Sequence, residues 1–266
     1  MTDSIEPKRR TSWLAEIRGL LGLLLLVVGL HSLVAKPFYI PSESMMPGLL
    51  AGDHLVVSKY PYGWSYASPS FHVLPFVKGR LFGRMPERGD VVVVSRPEPG
   101  KGEDLIKRVV GLPGDTVRMV RGRLWLNGEP VATRDLGYRS VRADANLRCP
   151  ADGPGPDCHL HLLRETLPGG RTYEVLDLYP SPMDDTAPYR VPPGHVFLMG
   201  DNRDNSADSR LPLSSNGLGG AVPVENVQGR AEFITYSLKG EAGWNPLSWH
   251  SDFRSGRAGG SLRPKG

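Results

Sequence analysis

Residues 106–115 read Ile106-Lys107-Arg108-Val109-Val110-Gly111-Leu112-Pro113-Gly114-Asp115, an apolar, β-branched run that carries two cations and stops at a Pro-Gly turn. A run this short, bounded by turn formers, reads as a strand. The same pattern recurs on both sides of it. Asp90-Val91-Val92-Val93-Val94 follows a Gly turn, and Asp115 to Val120, Arg123 to Leu126, His195 to Met199 and Ala231 to Tyr236 are each short, β-branched or aromatic, and bounded by Gly, Pro or Asp. Val120-Arg121-Gly122-Arg123-Leu124 predicts a hairpin, and Asn127-Gly128 a second tight turn just after it. Beyond the N-terminal apolar segment no stretch carries a convincing helical period, so the expected fold is mainly β. Residues 37–130 and 188–245 form the predicted main β domain. Residues 131–187, richer in Pro, Gly, Arg and Asp, read as a smaller inserted β-rich lobe, and 246–266 as a C-terminal tail.

The stretch apolar enough to enter a bilayer lies ahead of all this. Gly19 to Ala35 reads GLLGLLLLVVGLHSLVA, about 17 residues without a formal charge, at the short end of what crosses a hydrocarbon core as a helix. Trp13 lies at its leading edge and Phe38 and Tyr39 just past its trailing edge, where amphipathic rings favour the headgroup level. Lys8, Arg9, Arg10 and Arg18 precede the span and only Lys36 follows closely. That bias keeps residues 1–18 as a cytoplasmic tail, 19–36 as a transmembrane anchor, and the rest outside the cytoplasm. A cleavable secretory signal shares the basic start and apolar core, with a cleavage point after Val34-Ala35. The long leading tail, and a Ser44 left almost at a new N-terminus, favour an uncleaved anchor. His31 within the span reads as a neutral imidazole near the outer interface, because it has no chain of ionisable partners for a proton relay.

The remainder is long enough for one large or two small domains with a real core. A formal net charge of +4, partly supplied by the two tails, makes no basic stripe, and no nucleic-acid partner is expected. The two cysteines, Cys149 and Cys158, bracket a Gly- and Pro-rich loop. A disulfide is the natural proposal and fits an exported domain. The alternative, a metal site of Cys158, His159 and His161, lacks a second ligand pair at familiar spacing. Neither a metal nor a cofactor is expected.

The chemistry rests on a serine and a lysine. Ser44 lies in Pro41-Ser42-Glu43-Ser44-Met45-Met46-Pro47, where the two prolines favour an extended, exposed segment over a helix. An ordinary lysine, with a pKa of about 10.4, cannot accept a proton at neutral pH. Lys107, flanked by Ile106 and Val109-Val110, is in a run whose burial disfavours the ammonium and lowers that value. A neutral Lys107 amine can then take the Ser44 proton as the hydroxyl attacks a carbonyl. Arg108 cannot substitute, because guanidinium stays protonated. The Ser44 amide and the Ser42 hydroxyl are near enough along the chain to serve the developing oxyanion.

Four blocks, taken in order, resemble the motifs of bacterial type I signal peptidases, the leader peptidases with a Ser/Lys dyad. They are Pro41 to Pro47, Arg88-Gly89-Asp90-Val91-Val92-Val93, Ile106 to Asp115, and Gly200-Asp201-Asn202-Arg203-Asp204-Asn205-Ser206-Ala207-Asp208-Ser209-Arg210. The resemblance runs from the anchor to about Tyr236. It implies a signal-peptidase-like antiparallel β-sheet catalytic domain with an inserted lobe, behind one N-terminal transmembrane helix. It further implies Ser44 as acylated nucleophile, Lys107 as general base, Ser42 with the Ser44 amide as oxyanion site, and Ser206 as the group orienting the Lys107 amine. Asp201, Asp208 and Arg210 are then structural, holding their loop beside the dyad. The implied substrates are signal peptides of exported preproteins, cleaved behind small residues in an Ala-X-Ala pattern. Phe38, Ile40, Ile106 and Met45 are expected to contribute to shallow apolar pockets, and the extended peptide to pair with the strands bearing the dyad. The implied setting is the bacterial inner membrane, with the catalytic domain periplasmic and the secretion translocon a transient partner.

The chain departs from the family pattern at Gly48, where threonine is common, in a longer loop over 211–221, and at Glu43. Of the aromatic residues Trp64, Tyr66, Phe71, Phe76 and Phe82, with Trp244 and Trp249, some are expected to touch membrane lipid, the alternative being that they pack beneath a long loop. Other function classes fit less well. A self-cleaving Ser/Lys repressor needs a DNA-binding module where the anchor lies. A specialised peptidase for pilus or conjugation substrates shares the dyad and is the alternative. A non-catalytic β scaffold leaves Ser44, Lys107 and Ser206 together as a coincidence. A histidine base is available in His54, His72 or His195, none of them in a recognisable triad context.

Overall fold

The computed structural model describes residues 13–69, 79–97, 103–149, 157–240 and 249–264. Its first element, α1 (Trp13–Leu33), buries none of its residues and is long and apolar enough to cross a membrane. At 1.5 Å per residue it spans about 31 Å, close to the thickness of a hydrocarbon core. The helix therefore starts earlier and stops sooner than the expected 19–36. Ala35 and Lys36 already belong to strand β1 (Ala35–Tyr39), because Pro37 biases the residue before it away from helical backbone.

The strands that follow are β2 (Asp53–Ser58), β3 (Val91–Ser95), β4 (Asp104–Gly111), β5 (Thr116–Val120), β6 (Arg123–Leu126), β7 (Glu129–Pro130), β8 (Ala132–Arg142), β9 (Asp157–Thr166), β10 (Thr172–Leu176), β11 (Tyr189–Arg190), β12 (His195–Met199), β13 (Val222–Pro223) and β14 (Val227–Ser237). Among the described residues they form one seven-stranded sheet in the order β1-β2-β14-β3-β4-β12-β13, a four-stranded sheet β11-β5-β6-β7 and a three-stranded sheet β10-β9-β8. All named strand pairs are antiparallel. The expected turns lie where Arg121, Gly122, Asn127 and Gly128 adopt positive φ.

The uninterrupted valines of β3 follow from its central place. Val91 and Val93 pack with Ile40, Met45, Leu55 and Ile106 on one face, while Val92 and Val94 pack with Val109, Val196, Leu198 and Val227 on the other. A strand covered on both faces needs no polar alternation. Residues 131–187 are more regular than their composition suggests. Cys158, Leu160 and Leu162 of β9 are buried with Met46 and Leu50, whereas His159 is exposed and His161 half-buried. This is a half-buried strand, whose partner β8 is mostly exposed and so lacks the period. Cys149 and Cys158 are joined by a disulfide, with Cα atoms 5.0 Å apart.

The C-terminal segment, expected as a tail, is packed. Amides of Ile234, Gly259 and Leu262 bond the carbonyls of Gly260, Ile234 and Glu232, so residues 259–262 line β14. They cover it beyond Arg230, where its pairing with β3 ends.

Candidate active site

Three segments converge at the front of the seven-stranded sheet. The first is the loop 41–52 between β1 and β2, closed at its neck by the Ile40 amide on the Asp53 carbonyl (2.9 Å) and the Gly52 amide on the Ile40 carbonyl (2.8 Å). It carries Ser42 and Ser44. The second is β4, in which Lys107 pairs with Val92 in the middle of the sheet. The third is the loop 200–210 that leaves β12.

The Lys107 amine lies 2.8 Å from Ser44 Oγ in a hydrogen bond. Both residues are buried, Lys107 to 2% exposure and Ser44 to 7%. Burial lowers the Lys107 ammonium pKa from 10.5 to about 8; the carboxylates of Asp208 and Asp201 oppose that fall, and Arg210 and Arg96 add to it. About one tenth of the amine is then neutral at pH 7. Ser42 Oγ is 3.5 Å from Ser44 Oγ, at the outer limit of a hydrogen bond. Among the described residues no group accepts from the Ser44 amide.

The 200–210 loop is held against this pair by backbone and ion pairs. The Asn202 amide donates to the Ser44 carbonyl at 3.1 Å, and Asn202 Nδ2 to the Glu43 carbonyl at 3.3 Å. Gly200 is a glycine for space: a Cβ there would lie 2.2 Å from Ser206 Oγ and 2.5 Å from the Ser44 carbonyl oxygen. Asp208 accepts from the Gly200 amide (3.0 Å) and pairs with Arg210 at 2.8 Å. Burial pushes the Asp208 carboxyl up, but the Arg210 charge and the hydrogen bonds it receives bring it below the usual range. Asp201 pairs bidentately with Arg108 at 2.7 and 2.6 Å, and Arg108 also donates to the Gly89 carbonyl and lies over the Tyr173 ring.

Ser206 reaches the site but not the expected bond. Its Oγ is buried without a hydrogen-bond partner, and no bond joins it to Lys107. Phe38, Ile40 and Ile106 line a cleft of about 120 Å³ that ends on Ser42, Ser44 and Lys107. Met45, expected with them, is not on its wall. At 1% exposure it is a core side chain, packed with Leu49, Leu55 and Ile234, in a turn that buries Ser44, Met45 and Met46 together. His54 stacks on Tyr236 and His195 Nδ1 bonds the Pro193 carbonyl; neither hydrogen-bonds Ser44. His72, Phe71, Phe76 and Trp244 lie outside the described residues, as does the Trp249 side chain.

Four arginines carry contacts that the sequence alone does not assign. Arg108, which cannot serve as a base, fixes Asp201. The Arg203 guanidinium forms a buried bidentate pair with Glu165 (2.7 and 2.6 Å), which also accepts from the Tyr173 hydroxyl, so the 200–210 loop is bolted to β9 and β10. Arg254 and Arg257, in the C-terminal segment, reach the 41–52 loop from outside. The signal available for the first two was charge within an otherwise apolar strand or a motif loop, which demands a counter-charge when buried.

A family model described as signal peptidase, peptidase S26, matches residues 12–236. The chain is 37% identical to the signal peptidase I of Rickettsia typhi over 216 residues, 78% of this chain and 74% of that one. The enzyme of the same name from Rickettsia massiliae is 36% identical over 216 residues, with coverage of 78% and 73%. A crystal structure of a signal peptidase I from Enterococcus faecalis V583 aligns at 22% identity and a TM-score of 0.29, over 55% of this chain and 97% of that one, too loosely to carry an argument. The match from the apolar helix through β14, together with two relatives of the same name, means that this chain belongs to the signal peptidases, peptidase S26, and is a serine peptidase whose N-terminal helix is long and apolar enough to cross a membrane.

Proposed function

We propose that this signal peptidase removes signal peptides from exported preproteins with Ser44 as nucleophile and Lys107 as general base, through an acyl-enzyme. The observation that carries the reading is the 2.8 Å contact between a buried lysine amine and a buried serine hydroxyl. The Ser44 proton passes to the Lys107 amine as Oγ bonds the scissile carbonyl carbon, and the amine returns it to the departing nitrogen when the C–N bond breaks. Water then attacks the acyl carbon, giving a proton to the same amine, which passes it to Ser44 Oγ as the acyl C–O bond breaks, so that Ser44 is regenerated and the signal peptide leaves with a new C-terminal carboxyl. The Ser44 amide and the Ser42 hydroxyl face the developing oxyanion, and Ser206 packs beside the pair.

The cleft lined by Phe38, Ile40 and Ile106 is small, which favours Ala-sized side chains before the scissile bond. An extended peptide between residues 38–42 and 104–107 gains backbone hydrogen bonds from both sides. The cationic residues before the helix favour an inner-membrane protein with its catalytic domain periplasmic. Lipid contact beside the helix is supported by exposed Tyr60, Leu81 and Phe82, the last 76% exposed. Trp64 Nε1 also donates to the Leu33 carbonyl at 2.8 Å, joining this patch to the helix end. Hand-over from the secretion translocon completes the scheme.

The test is cleavage of a preprotein in vesicles by the wild type, Ser44→Ala and Lys107→Met. Loss of processing in both variants, with the product beginning after an Ala-X-Ala sequence, is expected. Retained processing by Ser44→Ala would end the reading.

A further inference from the structure

Beyond its neck and the bonds of Glu43 and Ser44 to Asn202 and Lys107, the nucleophile loop 41–52 is held at two further carbonyls, those of Gly48 and Ala51. Their donors come from the far end of the chain. Arg257 donates to the Gly48 carbonyl at 3.0 Å and grips both oxygens of the Asp53 carboxylate at 2.8 and 2.5 Å. Asp53, fully buried, in turn accepts from the Leu50 amide at 2.8 Å. Arg254 donates to the Ala51 carbonyl at 2.7 Å and to Ser237 Oγ at 2.9 Å, and pairs bidentately with Asp144 at 2.7 Å. Gly52 is passed so closely that a Cβ would lie 2.1 Å from the Leu238 carbonyl and 3.1 Å from Arg254 Nη1. Gly48 and Ala51 of the loop, and Asp53 at the start of β2, are thus fixed by two arginines about two hundred residues downstream.

We propose that the C-terminal segment is a clasp on the nucleophile loop and that Arg257 is a positioning residue for Ser44. The proposal rests on the Ser/Lys reading above. The geometry explains why a clasp acts on turnover rather than on substrate affinity. Phe38, Ile40 and Ile106, which line the cleft, belong to the strands or to the loop's neck, and neither arginine touches them. The Ser44 hydroxyl, by contrast, must stay at 2.8 Å from an amine fixed in β4. A displacement of about 1 Å in such a pair lowers the chemical step by up to about 100-fold.

The experiment compares the full-length chain in detergent micelles as wild type, Arg257→Ala, Arg257→Lys, Arg263→Ala and Ser44→Ala. The substrate is an internally quenched peptide with alanine at the first and third positions before the scissile bond. Arg263 is the control: it lies on the same C-terminal segment, but pairs with Glu232 at 2.8 Å and does not touch the loop. Assays run well below each variant's melting temperature, so that the folded fraction is complete. The expected result is a kcat lower by about 10- to 100-fold for Arg257→Ala with KM within about 3-fold, partial recovery in Arg257→Lys, and Arg263→Ala within about 2-fold of the wild type. A kcat for Arg257→Ala within 2-fold of the wild type, or an equal fall in Arg263→Ala, overturns the proposal. If Arg257→Ala does not accumulate folded, Arg257→Lys decides: a wild-type kcat overturns the clasp. An active Ser44→Ala would instead overturn the Ser/Lys reading.

Discussion

Replacing Lys107 by methionine should make this protein more stable as it makes it inactive, and the size of the gain should depend on pH. In the fold the amine has a pKa of about 8 against its ordinary 10.5. The unfolded chain therefore holds a proton that the folded one tends to lose, and between pH 8 and 10.5 it binds more protons than the native state. Stability accordingly rises with pH across that window. Below pH 8 both states are protonated and the folded one bears the whole penalty, about 3 kcal/mol at pH 7. Methionine has similar reach and no proton to hold. The variant forfeits the bond to Ser44, worth about 1 kcal/mol net, so a gain of about 2 kcal/mol at pH 7 is expected. The gain should shrink, and turn into a small loss, by pH 10.5. Urea unfolding of both proteins in the same micelles, at half-unit steps from pH 6.5 to 10.5, measures it. A stability difference that is flat with pH would refute the claim that the buried amine is held mostly uncharged above pH 8.

Further outcomes follow from the same geometry. The kcat/KM of the wild type should rise about tenfold per pH unit up to about pH 8 and level off; Asp208→Asn, which removes the carboxylate that most opposes the fall in the Lys107 pKa, should move that limb to lower pH in a pH–rate profile. Glu165→Gln leaves the Arg203 guanidinium buried without its counter-charge and should cost about 3–5 kcal/mol, visible as a lower melting temperature in calorimetry. Removing the Cys149–Cys158 bridge by a double alanine substitution opens a loop with a sequence separation of 9, and should lower stability in urea by about 2–3 kcal/mol. Glu43 carries a carboxylate with no partner among the described residues; Glu43→Gly should reduce the preference for lysine over glutamate just after the scissile bond by about 3-fold, measured as a ratio of kcat/KM on paired peptides.

The valine run of β3, the hairpin at Gly122 and the turn at Asn127-Gly128 were legible because each is a local pattern that nothing distant overrides. Ser44 and Lys107 were legible for another reason: both are embedded in motifs that resemble a family, and the lysine is in a run too apolar to leave it solvated. β2 is not legible because Leu55-Val56-Val57, between Asp53-His54 and Ser58, is a three-residue apolar run with no alternation to read. β8 was missed because an exposed strand has no apolar face to read. Arg108 and Asp201, 93 positions apart, and the Arg257–Asp53 pair, 204 apart, could not be matched by inspection, because any arginine of the chain can answer any buried carboxylate until the topology is known. Met45 was misplaced because a methionine beside a nucleophile reads equally as pocket wall and as core.

Only Val34 separates the helix from β1, and this joint is stapled: the Val34 amide bonds Leu30, the Lys59 amide bonds the Val34 carbonyl, and Trp64 holds Leu33. Five strand residues of about 3.4 Å each carry the chain from there to Ile40, so the mouth of the cleft rides no more than about 17 Å above the end of the anchor. If the helix spans a bilayer as proposed, such a stiff mast gives the peptidase a fixed altitude over it. On the function proposed above, peptide bonds still sunk in lipid, and those farther out in the folding cargo, would pass it by, so that the choice of bond would be made partly by height before any side chain is read.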